Sequence, residues 1–185
     1  MFSRFFAKDR FRIERFNTKS ICMVAMLITV TAVLSIYGTF RIGETIKIPT
    51  KFCSVFVSSA LFGPWIGALV GATGDILNVF LAPTAPWIPL LTLGEFLCGF
   101  LYGLFFYNLP TDGPRFPVRA LFCGVVLFVV DMFYTTFVLE SAGYFPSFWV
   151  AFVFRLGAGI IKFTLQTGYF LLIGRFIPLF KKAIK

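Results

Sequence analysis

The chain has 185 residues, 58% of them hydrophobic and only 14% charged, with 17 Lys and Arg against 8 Asp and Glu and a net charge of +9. A water-facing domain carries about 25% charge, and a mean hydropathy of +0.89 leaves too few polar groups to cover a globule. This argues against a soluble domain and against a disordered chain; at roughly 20 residues per crossing, the length allows about six spans and no soluble catalytic domain.

Residues 1–19 interleave Phe2, Phe5, Phe6, Phe11 and Phe16 with Arg4, Lys8, Arg10, Arg12 and Arg15. The pattern fits a basic anchor at the membrane surface, with a docking arm for a cytoplasmic partner as the alternative. A cleavable signal peptide is not expected, because the apolar run Ile21 to Phe40 is long enough to span and carries no clear A-x-A site. Span 1 is expected over about Ser20 to Gly38, followed by an outer loop, Thr39 to Lys51, with Arg41, Glu44 and Lys47. Span 2, about Phe52 to Phe62, is short and can borrow length from the preceding Ile46 to Thr50. Gly63-Pro64 marks a tight inner turn before span 3, about Trp65 to Leu81. The outer loop Ala82 to Pro89 contains Pro83, Pro86 and Pro89 and should be stiff and non-helical.

Span 4 is expected over about Leu90 to Tyr107. The inner connection Asn108 to Arg119 is broken by Pro110, Asp112-Gly113, Pro114 and Pro117. Span 5, about Ala120 to Leu139, leads through an outer loop, Glu140 to Ser147, into span 6, about Phe148 to Ile177. The expected fold is an all-α membrane protein of six transmembrane helices, N-in/C-in. It divides into a basic amphipathic cytoplasmic N-terminus (1–19), a six-helix membrane domain (20–178) and a basic cytoplasmic tail (179–185).

The cations fix that orientation. With six crossings, the six before span 1 share a side with Arg115 and Arg119 and with Arg175, Lys181, Lys182 and Lys185. The opposite side holds only Arg41, Lys47 and Lys51, so the positive-inside rule places both termini in the cytoplasm. The charge is therefore a topology signal and not a nucleic-acid footprint. There is no His, which removes the commonest general base and metal ligand. Cys22, Cys53, Cys98 and Cys123 form no CxxC and are read as small buried hydrophobes, with no metal site. No P-loop is present, and no nucleophile–base arrangement points to an enzyme. No cofactor is expected.

Ionisable residues inside spans cost roughly 2.5–3.5 kcal/mol each at the membrane centre, yet Asp75, Glu95, Asp131, Arg155 and Lys162 all fall within spans. Glu95 lies five residues below the outer end of span 4, Asp131 eight below that of span 5, and Arg155 seven below that of span 6. Asp75 sits near the middle of span 3 with Asn78 one turn above it. Polar groups at a shared depth suit a pocket open to the outside. A structural pair, Asp131–Arg155 or Glu95–Arg155, is the alternative, and Lys162 either pairs with Asp75 or faces the cytoplasmic side. Trp87, Tyr144, Phe145, Phe148 and Trp149 near the outer loops form either an interfacial belt or stacking walls for a flat ligand. Gly63, Gly67 and Gly71 make a GxxxGxxxG that lets helices approach closely. Ala25, Thr29 and Ala32 share one face of span 1, for packing within the bundle or for docking a membrane subunit.

The stretch Phe62 to Asp75 (FGPWIGALVGATGD) resembles the "FGPxxGALVGxxxD" signature of S components of energy-coupling factor (ECF) transporters, small six-helix vitamin-binding membrane proteins. Arg41 to Pro49 (RIGETIKIP) is similar to the "IGPxxKI" loop of the folate-type group, and Leu97 to Phe105 (LCGFLYGLF) to its "LAGLIYGLF". Arg155 and Lys162 are loosely similar to its "RIIK" segment at wider spacing. Before span 4, where folate-type members read like "FFPGFTLTAxLxG", this chain has Trp87 to Phe96 (WIPLLTLGEF).

The resemblance implies vitamin capture from outside a prokaryotic plasma membrane and delivery with a shared ATP-driven module of one transmembrane coupling subunit and two ATPase subunits. It also implies that Ala25, Thr29 and Ala32 meet the coupling subunit. The expected ligand is folate or a related pterin. Its donor-rich edge would pair with Glu95 or Asp131, its glutamate tail with Arg155, Arg41 or Lys47, and its ring would stack on aromatics. Asp75, Asn78, Trp87, Tyr144 and Trp149 complete the candidate set. An S component for cobalamin, pyridoxine or a queuosine precursor is one alternative; a non-transporting integral membrane protein is the other.

Overall fold

In hydrocarbon every backbone N–H and C=O must be bonded within its own segment, so the long apolar runs become helices wherever no breaker interrupts them. The computed structural model describes residues 18–42, 46–82, 86–108, 115–178 and 180. The basic arm 1–17, the tail cations Lys181, Lys182 and Lys185, and the side chains of 39–49, Arg41 and Lys47 included, lie outside the described residues. The order is α1 (Thr18–Tyr37), β1 (Thr39–Ile42), β2 (Ile46–Pro49), α2 (Phe52–Phe62), α3 (Pro64–Leu81), α4 (Pro89–Phe106), α5 (Arg115–Ser141) and α6 (Phe148–Gly174). Five of these helices are long and apolar enough to cross a membrane, and α2, at 11 residues, is the short sixth.

The six-helix expectation holds, with α2 over the expected residues. Helix α5 begins five residues before the expected Ala120. Pro117 falls in its first turn, where the missing N–H has no intrahelical acceptor to lose, so the proline opens this helix without breaking it. Helix α6 ends at Gly174, three residues short of Ile177. The expected outer loop contains an antiparallel hairpin in which Phe40 pairs Ile48 and Arg41 pairs Lys47. Apolar and polar residues alternate along it, which is a strand pattern. Thr50 Oγ1 donates to the Gly38 carbonyl (2.7 Å) and closes its base.

Helix α3 packs against α1, α2 and α4, and α5 packs against α6 and α4. The α2–α3 turn is a single residue, Gly63 at φ 98°, followed by Pro64 at the head of α3. The small residues serve internal packing. A Cβ on Gly67 would meet Ser59 of α2, one on Gly99 would meet the Gly67 carbonyl, and one on Gly103 would meet the Pro64 backbone. Ser59 Oγ also donates to the Gly99 carbonyl (2.9 Å), tying α2 to α4.

At the end away from the hairpin the bundle is filled with rings. Phe56 lies 4.9 Å from Phe106 and 4.7 Å from Phe170 between centroids, and Phe116 lies 6.1 Å from Phe106. Tyr102 and Gln166 hydrogen-bond at the top of this cluster. The cysteines correct the expectation of four buried thiols: Cys123 is buried, Cys53 and Cys98 are half-buried and Cys22 is exposed. Cys22 faces outward because α1 is an outer helix with only one short buried stripe.

Candidate functional site

Toward the hairpin the helices part around a cavity of about 410 Å³. All six contribute to its wall: Ser35 from α1, Lys51 at the head of α2, Asp75 and Asn78 from α3, Glu95 and Cys98 from α4, Asp131 and Tyr134 from α5, and Arg155 and Lys162 from α6. Asp75, Asn78, Glu95, Asp131 and Arg155 are thus brought together as the depth argument expected.

The ions form two groups. In the first, Lys51 Nζ lies 2.9 Å from Asp75 Oδ1 and 3.1 Å from Glu95 Oε1. Asp75 Oδ2 accepts from Thr92 Oγ1 (2.9 Å), and Thr92 accepts in turn from the Trp87 indole N–H (3.1 Å). In the second group Lys162 Nζ lies 3.1 Å from Asp131 Oδ2. Arg155 stands further off: Nη2 is 3.9 Å from the same oxygen, and Nη1 donates to Thr136 (3.0 Å). The structural-pair alternative is half right, since Asp131–Arg155 is a long pair, whereas no Glu95–Arg155 pair forms among the described residues. Asp75 takes Lys51 as partner, not Lys162.

Each ion in these groups is stabilised by an opposite charge at hydrogen-bond or near-contact distance, the condition under which charge survives away from water. Two groups keep capacity. Glu95 side-chain exposure is 31% and only Oε1 is engaged among the described residues. Arg155 has one short hydrogen bond and one long ion pair for its five N–H donors. Beneath the cavity a void of about 20 Å³ reaches down to Tyr102 and Gln166.

Trp87 is half exposed and joins the site only through Thr92. Tyr144 and Trp149 are exposed and do not line the cavity; Trp149 packs on Phe148 and Phe152. Ala25 and Thr29 lie exposed on α1 as a docking face requires, but Ala32 is buried inside the bundle, because α1 leans inward there, where Thr31 meets Gly74. Sequence reasoning missed Lys51 and Thr92 as site residues and left Lys162 out of the set. No group of three His, Cys, Asp or Glu arranged for a metal occurs among the described residues.

Known proteins share this architecture. Folate transporter FolT from Clostridium novyi (strain NT) is 31% identical over 118 residues, which is 64% of this chain and 64% of that protein. The aligned stretch therefore spans less than two thirds of that relative's length. A crystal structure of FolT bound with folic acid superposes with a TM-score of 0.75 at 26% identity, covering 86% of this chain and 94% of that one. The family model for the S component of ECF-type riboflavin transporters matches residues 15–177. A six-helix bundle with a polar cavity at one end, matched over nearly its whole membrane domain, places the chain in the ECF-type riboflavin transporter S component family.

Proposed function

We propose that this chain is the substrate-binding S component of an ECF-type vitamin importer and that its ligand is folate or a related pterin. The hairpin end faces outside, because Arg115, Arg119 and Arg175 sit at the opposite end of the helices. Folate enters there, and a transmembrane coupling subunit with two ATPase subunits drives its delivery. The coupling subunit meets α1 at Ala25 and Thr29. Arg41 and Lys47 pair across the hairpin.

One observation carries the choice of vitamin: the cavity sets a carboxylate with a spare oxygen, Glu95, against a guanidinium with spare donors, Arg155, on separate ion groups. The pterin edge of folate offers adjacent N–H donors to a carboxylate, and its glutamate offers carboxylates to a guanidinium. Riboflavin, the vitamin in the family's name, has a neutral polyol chain and nothing anionic for Arg155. The names of the similar FolT proteins agree with this chemistry.

Calorimetric titration of the purified protein with folic acid, riboflavin, cobalamin, pyridoxine and a queuosine precursor tests the reading. Folic acid is expected to bind and riboflavin to fail. Preference for riboflavin or another compound, or silence across the panel, overturns it.

A further inference from the structure

The charge balance of the cavity limits what it can recognise. Among the described residues its lining holds three cations, Lys51, Arg155 and Lys162, and three carboxylates, Asp75, Glu95 and Asp131. They are not evenly mixed. The wall from α2, α3 and α4 has one cation between two carboxylates, and the wall from α5 and α6 has one carboxylate between two cations. The first wall therefore has one negative charge in surplus and the second one positive.

Hydrogen bonding shows which residue holds each surplus. Asp75 is engaged at both oxygens, by Lys51 and Thr92. Asp131 takes the close contact from Lys162 at 3.1 Å, so the 3.9 Å approach leaves Arg155 as the loosely held cation. A ligand carboxylate can engage Arg155 without breaking a short ion pair. A second carboxylate at that depth would face Asp131 with no unpaired cation among the described residues to meet it, a costly arrangement in a low-dielectric wall.

We propose that the cavity recognises one carboxylate of its ligand, through Arg155, and no more. This rests on the folate reading and deepens it. Folate has two carboxylates, α and γ, so one of them stays at the mouth, where water screens it and an ion pair with a hairpin cation adds little over an amide. A γ-glutamyl extension turns the γ-carboxylate into an amide, so pteroyl-γ-diglutamate should follow the γ-monoamide: it binds like folic acid where the γ group is the one at the mouth, and weakly where it is the one on Arg155.

The test is a binding series on the wild-type protein: folic acid, its α-monoamide, its γ-monoamide, its diamide and pteroyl-γ-diglutamate. One monoamide is expected to bind within about threefold of folic acid. The other monoamide and the diamide are expected to weaken by roughly 10–100-fold, the range for losing a charge-assisted hydrogen bond. Arg155→Gln should bind folic acid and the diamide equally weakly. Both monoamides falling tenfold or more while folic acid binds overturns the inference and leaves the folate reading standing. So does a diamide that binds as well as folic acid. Failure of every compound, folic acid included, overturns the folate reading and this inference with it. The wild-type series decides the matter even if Arg155→Gln does not fold.

Discussion

The two ends of the bundle do different work. Away from the hairpin, Phe56, Phe106 and Phe116 interlock edge to face and Phe170 stacks on Phe56 in a closed core. Toward the hairpin, Lys51, Asp75, Glu95, Asp131, Arg155 and Lys162 stand around open space. Ring packing in lipid rests on close contact and is lost locally when one ring goes. Ion groups are mutually dependent, so removing one member leaves its partners buried and uncompensated. The closed end should therefore set stability alone, and the cavity end should couple stability to binding.

The largest expected effect tests that coupling. Lys51→Met leaves Asp75 and Glu95 facing each other without their shared cation, and should cost about 3–5 kcal/mol and abolish folate binding. Adding Asp75→Asn should restore much of the melting temperature without restoring full affinity. A Lys51→Met protein that melts and binds like wild type would show that the first ion group is not a unit.

Phe170→Ala comes next, at about 3 kcal/mol. Phe170 is fully buried against Phe56 and Tyr102, so the melting temperature should fall while folate affinity stays within about threefold. A large affinity loss would break the division between the two ends.

How much of this was legible in the sequence follows the same division. Helix α2 is readable over its own residues because Lys51 and Gly63 bracket a stretch with no charge and no helix breaker. The depths of Glu95, Asp131 and Arg155 were readable because helical rise converts position into height. Lys51 was not, since a lysine just before a short span looks like a loop cation. Only the third dimension shows it 8% exposed between Asp75 and Glu95. The hairpin hid because four-residue strands are too short to stand out. For Tyr144 and Trp149 the sequence offers aromatic character and nearness to an outer loop, which do not distinguish a ring facing the cavity from one facing lipid.

Arg155→Gln sharpens the cavity end. It removes the surplus cation but leaves Lys162 on Asp131, so binding should weaken by roughly 10–100-fold with little change in melting temperature. Equal loss of stability would mean that Arg155 holds α6 to α5 and is not reserved for ligand.

The smallest effect probes the link between the cavity and the connection before α4. The Thr92 hydroxyl has one proton and donates it to Asp75 Oδ2, so toward the Trp87 indole N–H it can only accept. Thr92→Val keeps the shape but deprives both partners, at about 1 kcal/mol. Asp75 would then be held by Lys51 alone and free to turn, so folate affinity should fall by about fivefold, while Thr92→Ser should restore it. Trp87→Phe cuts only the outer bond, at a half-exposed ring that water can reach, and should change affinity less than Thr92→Val does. The reverse order would mean that Trp87 itself touches the ligand and that the relay through Thr92 is incidental.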